Sequence, residues 1–360
     1  MSNLYSCKRR QSRARKQEEV YMNNNTSATQ NAEPSTSAPT TNATTHVYIG
    51  IDVSKDTLHV DADKLFKGPV LNTPRQIEKL LTTLLKKSKG HEKPWLCIES
   101  TGPYGRPLLD ACFKREIPIS QVNPRFVKAH ATSKGILYKT DKKDAQIIRS
   151  FAEQNNPPPT RPLDPARQRL RDLHLVRDGY GKDITRQENL LFSITLPEMR
   201  KRLQATLRTL RRLVDELEQK IEHAALKEDA GIAGLVGALC EIKGVGILTA
   251  SKMVAYVPEL GSLGRRSSAY LSGLAPMPDE SGTLSGPRKI KGGRWHVRQG
   301  LYMAAHCAST HNEVLREVYQ RLVARGKLRK VALIAVMRKL FAHMDRVARK
   351  HLNPPGAPMA

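Results

Sequence analysis

The sequence predicts an α/β N-terminal domain, a helical coiled-coil middle and a mainly α C-terminal domain. Three observations predict it. Strand and helix signals alternate over residues 46–156. Apolar residues recur at steps of four and three from Leu203 to Ala224. From Gly231 onward the pattern is again mostly helical, with a Gly-x-Gly turn between two short apolar stretches.

Residues 1–45 read as a disordered tail. From Asn23 to Thr45 the chain is almost all Asn, Thr, Ser, Ala and Pro, with too little apolar area to offset the entropy of ordering. A dispensable extension is the favoured reading; the alternative is a basic arm, Lys8 to Lys16, touching phosphates. In residues 46–156, HVYIGIDVS is a buried strand with Val47, Ile49 and Ile51 on one face, and DTLHVDAD is its hairpin partner. Thr73-Pro74 opens a helix with Ile77, Leu80, Leu81, Leu84 and Leu85 at helical spacing. PWLCIES and PISQVN are further strands, a helix around Leu108 lies between them, and Asp141 to Glu153 is a helix. The order suggests a mixed sheet covered by helices.

Asn156 and the three prolines after it form a stiff boundary to residues 157–230. There two long helices follow, about Pro165–Ile194 and Glu198–Lys227. In the second, Leu203, Leu207, Leu210, Val214, Leu217, Ile221 and Ala224 form a heptad seam. It fits a helix packed on its own domain or a two-helix coiled coil that dimerises the protein. Residues 231–350 are the third part, and 351–360 a second tail. Within the third part, Lys243, Gly244 and Gly246 make a turn resembling a helix-hairpin-helix, whose backbone N–H groups can receive a phosphate. Many helical hairpins turn on glycine without binding anything.

Composition narrows the partners. The 360 residues carry 60 Lys+Arg against 34 Asp+Glu, a formal net charge of +26, which points to nucleic acid or an anionic surface. No apolar run approaches the ~20 residues that cross a bilayer. No signal-peptide segment follows the basic residues Lys8, Arg9 and Arg10, so no export is expected. Five scattered cysteines, none in CxxC spacing, argue against a zinc site or a disulfide framework and for a reduced cytosol. Aromatic residues at 5% are too sparse for a broad base-stacking platform.

Against that charge stand four acids: Asp52 in IGIDVSK, Glu99 in CIESTG, and Asp141 with Asp144 in KTDKKDA. Strand ends and one helix face can meet at a single sheet edge. Four carboxylates there would repel unless a cation lay between, and carboxylate oxygen is what Mg²⁺ prefers. The bland alternative makes Asp141 a helix N-cap and Asp144 a first-turn acid favoured by the helix dipole. For that pair the two readings weigh equally. Glu99 is harder to explain blandly, because it ends the buried strand Trp95-Leu96-Cys97-Ile98.

DVSK, ESTG and KTDxxDA, in this order, resemble the DEDD insertion-sequence transposases of family one-ten, whose catalytic domain resembles the RuvC resolvase. The pilin-inverting DNA invertases belong to the same group. GLAPMPDESGTLSG and KGGRWHVRQGLYMAA are similar to that family's second region, and the resemblance runs from about His46 to Lys350. It implies an RNase H-like (RuvC-like) fold for the N-terminal domain, with Asp52, Glu99, Asp141 and Asp144 catalytic and holding Mg²⁺. It also implies a serine nucleophile that forms a phosphoserine link to cleaved DNA. A structured guide, the bridge RNA, would pair with donor and target double-stranded DNA, and a homodimer would assemble into a synaptic tetramer.

Gly273 to Gly293, rich in Gly, Pro and Ser, reads as a loop between helices. By the resemblance Ser281 is the nucleophile and Ser285 the runner-up; by pattern alone both are turn serines. The expected nucleic-acid contacts are Lys55, Lys139, Lys142, Lys143, Lys243, Gly244, Gly246, Arg288, Lys289, Lys291, Arg294 and Arg298. Arg321 to Lys350, with ten Lys/Arg and the single acid Asp345, adds to them. Three rival readings remain. A RuvC-like junction-resolving endonuclease would use water in place of Ser281. A sugar kinase or actin-like ATPase would need a second phosphate loop, of which there is no convincing copy. A non-catalytic nucleic-acid scaffold would not need the acids.

Overall fold

Nine residues, Thr45–Val53, form strand β1, and every other strand of the main sheet is placed relative to it. The computed structural model describes residues 45–88, 92–100, 102–136, 141–281 and 284–353. The disorder expected of residues 1–45 therefore lies outside the described residues, Thr45 apart. So does the expectation for the C-terminal tail beyond Asn353. The chain divides into two units, within 1–160 and 161–360.

In the first unit β2 (Thr57–Asp61) and β3 (Lys67–Leu71) follow β1 as an antiparallel meander. Helix α1 (Pro74–Lys87) then carries the chain back to β4 (Glu92–Glu99), which pairs parallel with β1. Helix α2 (Arg106–Lys114) leads to β5 (Ile119–Val122), parallel to β4, and the sheet order is β3-β2-β1-β4-β5. Helices α3 (Pro124–Ser133) and α4 (Asp141–Asn155) complete the unit.

Alternation along the strands separates two cores. Ile49, Ile51, Leu96 and Ile98 face Ile77, Leu81 and Leu84 of α1 and Leu108 of α2. Cys97 and Val122 pack with Ile147, Ile148, Phe151 and Ala152 of α4. Burial on both faces is why β1 and β4 read as nearly continuous apolar runs. This mixed sheet, covered by helices, is consistent with the expected RNase H-like α/β domain.

The second unit is mostly helical. Helices α5 (Pro165–Ser193) and α6 (Pro197–Lys227) form a hairpin. Arg169–Glu228 at 3.0 Å, Arg177–Glu218 at 3.0 Å and Arg211–Glu188 at 2.7 Å pair in opposed order, so the two helices run antiparallel. Arg200 donates to the carbonyls of Leu191 and Ile194, both at 2.8 Å, and so satisfies acceptors that the end of α5 leaves open. Of the two readings of the seam, this arrangement favours the helix packed within its own chain. Leu207, Ile221 and Ala224 are buried and Leu203, Leu210, Val214 and Leu217 half-buried while α6 lies on α5 of its own chain. A heptad pattern specifies an apolar stripe; it does not specify which chain supplies the partner.

Helices α7 (Ala230–Cys240) and α8 (Ile247–Tyr256) flank the glycine turn. After α9 (Arg265–Leu271) come strands β6 (Pro276–Ser281) and β7 (Leu284–Ile290), then α10 (Trp295–His311), α11 (Glu313–Ala324) and α12 (Arg329–Leu352). Their shared core includes Leu235, Met253, Leu301, Leu340 and Phe341. The expected irregular loop at Gly273 to Gly293 is instead largely a two-stranded antiparallel hairpin. Gly, Pro and Ser lower strand propensity, but backbone pairing from Pro276↔Ile290 to Ser281↔Leu284 overrides it. Among the described residues no helix is long and apolar enough to cross a membrane.

Candidate active site

The parallel pairing of β1 and β4 runs in register up to Ile51↔Ile98. The next residues are Asp52 and Glu99, so these acids end neighbouring strands, which lie about 4.8 Å apart in a sheet. By alternation both belong to the sheet face that α4 covers, the face of Cys97. Helix α4 runs antiparallel to β1. Tyr48 Oη donates to Asn156 Oδ1 at 3.0 Å beyond the helix's far end. Farther along the strand, Gly50 meets the middle of the helix: a Cβ there would lie 2.0 Å from Ala145 O and 2.4 Å from Arg149 N. The N-terminal turn of α4, with Asp141 and Asp144, therefore points toward the end of β1 that carries Asp52.

Asp52, Glu99 and Asp144 are half-buried, and the side chain of Asp141 lies outside the described residues. Among the described residues no group of three or more His, Cys, Asp or Glu side chains is gathered closely enough to hold a metal ion. The acids share an edge, and three of them do not by themselves close into a cage. Their all-carboxylate chemistry fits a hard divalent cation.

Pattern reading missed two residues: Arg149 ties α4 to the end of β2 that lies away from the acids, and Asn72 braces this edge. Arg149 of α4, largely buried, places Nε 3.2 Å from Asp61 Oδ1 of β2 and Nη2 3.8 Å from Asp63 Oδ1, and it pairs with Glu153. Asn72, just after β3, reaches the turns that follow β1 and β4. Of the basic candidates here, Lys55 is exposed and Lys143 half-buried. Lys139 and the side chain of Lys142 lie outside the described residues.

In the second unit Ser281 closes β6 opposite Leu284, and Ser285 lies opposite Glu280. The side chains of both serines are outside the described residues. Close backbone approach locks the hairpin's stem. Gly273 (φ +65°) and Gly293 (φ +70°) approach so tightly that a Cβ on Gly273 would lie 2.1 Å from Gly292 O. Arg298 Nη1 donates to Gly292 O at 2.9 Å. Arg294 forks onto Glu259 at 2.8 and 2.7 Å and donates to Tyr256 O. Burial pushes the Glu259 carboxyl up, but hydrogen bonds from Arg294 and the backbone, together with the positive charges of Arg294 and Arg171, leave it below the usual carboxylate range. Arg294 and Arg298 are thus engaged as struts at the stem. Lys289, exposed on β7, lies 3.5 Å from Asp279 across the hairpin, and Lys291 is exposed beside it. Arg288 is also on β7.

The glycine turn divides similarly. Gly244 has φ +100°, and a Cβ on it would lie 2.7 Å from Ala308; it is there because α10 leaves no room. Gly246 is the N-cap of α8, and nothing lies within 4 Å of its Cβ position. That end is open to an anion, with Lys243 exposed beside it.

A buried polar node joins α5, α8 and α10. Lys252 Nζ donates to both oxygens of Asp178, at 2.9 and 2.7 Å. His174 Nε2 meets Ser251 Oγ at 3.0 Å, and the His296 ring stacks on Tyr256. His174, Asp178, Ser251 and Lys252 are all under 7% exposed. Burial drives the His174 pKa down to about 3 and lowers those of Lys252 and His296. The partners stand more than 70 residues apart in sequence, so no local motif announces them.

Comparison with known proteins accounts for both regions. A family model described as "Transposase", for DEDD transposases of the IS110 type, matches residues 49–200. A second, described as "Transposase IS116/IS110/IS902 family", matches residues 236–320. The chain is 26% identical to the pilin gene-inverting protein of Moraxella bovis over 318 residues, spanning 84% of this chain and 96% of that protein. It is 25% identical to the protein of the same name from Moraxella lacunata, with the same coverage. One family model takes in the carboxylate edge and the other the serine hairpin: the chain belongs to the IS110 family of transposases, which are DNA-processing enzymes.

Proposed function

We propose that this transposase cuts and rejoins double-stranded DNA through a phosphoserine intermediate, with Ser281 as nucleophile and the carboxylate edge as its partner site. What supports the reading is that Asp52 and Glu99 follow the last paired residues of the adjacent parallel strands β1 and β4, with the first turn of α4 directed at the same end. Asp52, Glu99, Asp141 and Asp144 would hold Mg²⁺. When bound, such an ion draws negative charge off a phosphate and its leaving oxygen. Ser281 Oγ forms a bond to the scissile phosphorus as the bond to one sugar oxygen breaks. The serine proton passes to a neighbouring base, and the departing sugar oxygen takes up a proton. Reversal by another strand's hydroxyl reseals the backbone and frees the serine, so the energy of one phosphodiester is kept throughout.

Arg288, Lys289 and Lys291 hold the DNA backbone along the hairpin, and Lys243 with the open N-terminus of α8 takes a further phosphate. The excess positive charge accommodates a structured guide RNA that pairs with donor and target DNA. The working form is a homodimer that assembles into a synaptic tetramer in the prokaryotic cytosol, with hairpin and carboxylate edge contributed by different protomers. The test is SDS-resistant protein–DNA adduct formation in Mg²⁺. Ser281→Ala should abolish adducts, and Asp144→Ala should reduce them at least a hundredfold. Normal adduct yield from Ser281→Ala would overturn the nucleophile, and cleavage without any adduct would favour hydrolysis by water. Sequencing RNA that copurifies with the protein tests the guide.

A further inference from the structure

We propose that Asn72 is a positioning residue for the carboxylate edge: a clamp that holds the ends of β1 and β4 at a fixed separation. The inference rests on the reading of that edge as a metal site. Asn72 follows β3, the outermost strand of the sheet on that side. Its side-chain Nδ2 nevertheless lies 2.9 Å from Ser54 O, 3.4 Å from Lys55 O and 3.0 Å from Tyr104 O. Ser54 and Lys55 begin the turn just after Asp52. Tyr104 lies in the short helical turn Gly102–Gly105, just after Glu99. An amide NH₂ has two protons, and the two shorter hydrogen bonds place one on each turn.

The first turn is stiff enough to transmit such a restraint. Asn72 N donates to Asp56 O at 2.9 Å, Ser54 N donates to Thr57 O at 2.9 Å, and Thr57 N donates to Ser54 Oγ at 3.1 Å. The need for a clamp follows from the sheet. The register between β1 and β4 ends at Ile51↔Ile98, one residue short of the acids. Asp52 is still paired to β2 and Glu99 to β5, but carboxylates on adjacent strands repel one another and favour opening between β1 and β4, where their own ladder stops. Asn72 spans the same gap from outside the sheet. Asp at this position would keep the shape, remove both donors and face three carbonyl oxygens with a negative charge.

The experiment uses the full-length protein and Mn²⁺ as probe. Isothermal titration compares the parent with Asn72→Asp, Asn72→Ala, Asn72→Gln and Asp52→Ala, and hydrogen exchange follows the amides of residues 54–57 and 102–105. The expected result is about a tenfold loss of Mn²⁺ affinity in Asn72→Asp and Asn72→Ala, the scale seen when the supports of metal ligands are removed. Both turns should exchange faster together, the thermal midpoint should hardly move, and Asn72→Gln, which keeps the NH₂, should recover part of the affinity. Parent-like affinity in Asn72→Asp and Asn72→Ala, with affinity lost in Asp52→Ala, would overturn the clamp and leave the metal site standing. Equal affinity in the parent and Asp52→Ala would overturn the metal site and the clamp with it. Loss of affinity only alongside global unfolding, shared by Asn72→Gln, would reduce Asn72 to a structural residue.

Discussion

Gly50 shows how much one missing methyl group decides. It stands two residues before Asp52, and without it α4 could not lie so close to β1. In the motif IGIDVSK it is the least conspicuous residue. At the same scale the His174 node makes a prediction about pH. Burial lowers its pKa from 6.5 to about 3, so the folded protein keeps it neutral where the unfolded chain takes up a proton. Between those values the unfolded state binds more protons, and stability falls as pH falls. The contribution is fully present above about pH 6.5 and declines below it, by at most about 1.4 kcal/mol per pH unit. Urea unfolding at pH 7 and pH 5 should show the loss, and His174→Gln should shrink the difference; an unchanged difference would assign it to other groups. The neighbouring ion pair makes a second prediction. Lys252→Met leaves buried Asp178 without its hydrogen-bonded cation, with Arg177 at 3.8 Å beside it, and should cost about 3 kcal/mol, while Lys252→Met with Asp178→Leu should recover much of that in the same titration.

Among the elements, the β6–β7 hairpin departs most from what its sequence suggests. Its residues favour turns, and only cross-strand pairing with a glycine-locked stem makes it a hairpin. The sorting of its basic residues follows. Arg294 and Arg298 are tied to the stem, while Lys289 and Lys291 are exposed. Charge-removing changes at these two lysines should weaken DNA binding and flatten its salt dependence, by about one unit of log–log slope for each phosphate no longer neutralised. Binding measured across a salt series would show this, and a slope equal to the parent's would remove the pair from the interface. Arg294→Ala should act differently, lowering adduct yield with little change in slope.

For the molecule as a whole, the assembly question turns on α6. Its seam is covered by α5 of the same chain, so a polar substitution there should damage the fold before it damages assembly. Leu210→Gln should lower the thermal midpoint while sedimentation equilibrium reports the parent's oligomeric state. Dissociation without loss of stability would mean that the seam also serves a second chain. Phe192 and Leu196 at the tip of the α5–α6 hairpin, 89% and 59% exposed, lie outside the seam.

Much of the architecture was legible because it rests on short-range pattern. Helical periodicity, two-residue alternation and proline punctuation placed the long helices and the strands of the sheet, and acids at strand ends against a basic chain marked a candidate site. Family membership was legible for the same reason: its motifs are local strings. Tertiary structure alone decided three things. It chose α5 as the partner of the heptad seam, because an apolar stripe does not name what covers it. It turned a glycine- and serine-rich stretch into a hairpin, because pairing energy across strands outweighs local propensity. It also brought Asn72, Arg149 and the Lys252–Asp178 pair to their partners. Those interactions join residues tens of positions apart, and their energy comes from burial and geometry that exist only after the chain has folded.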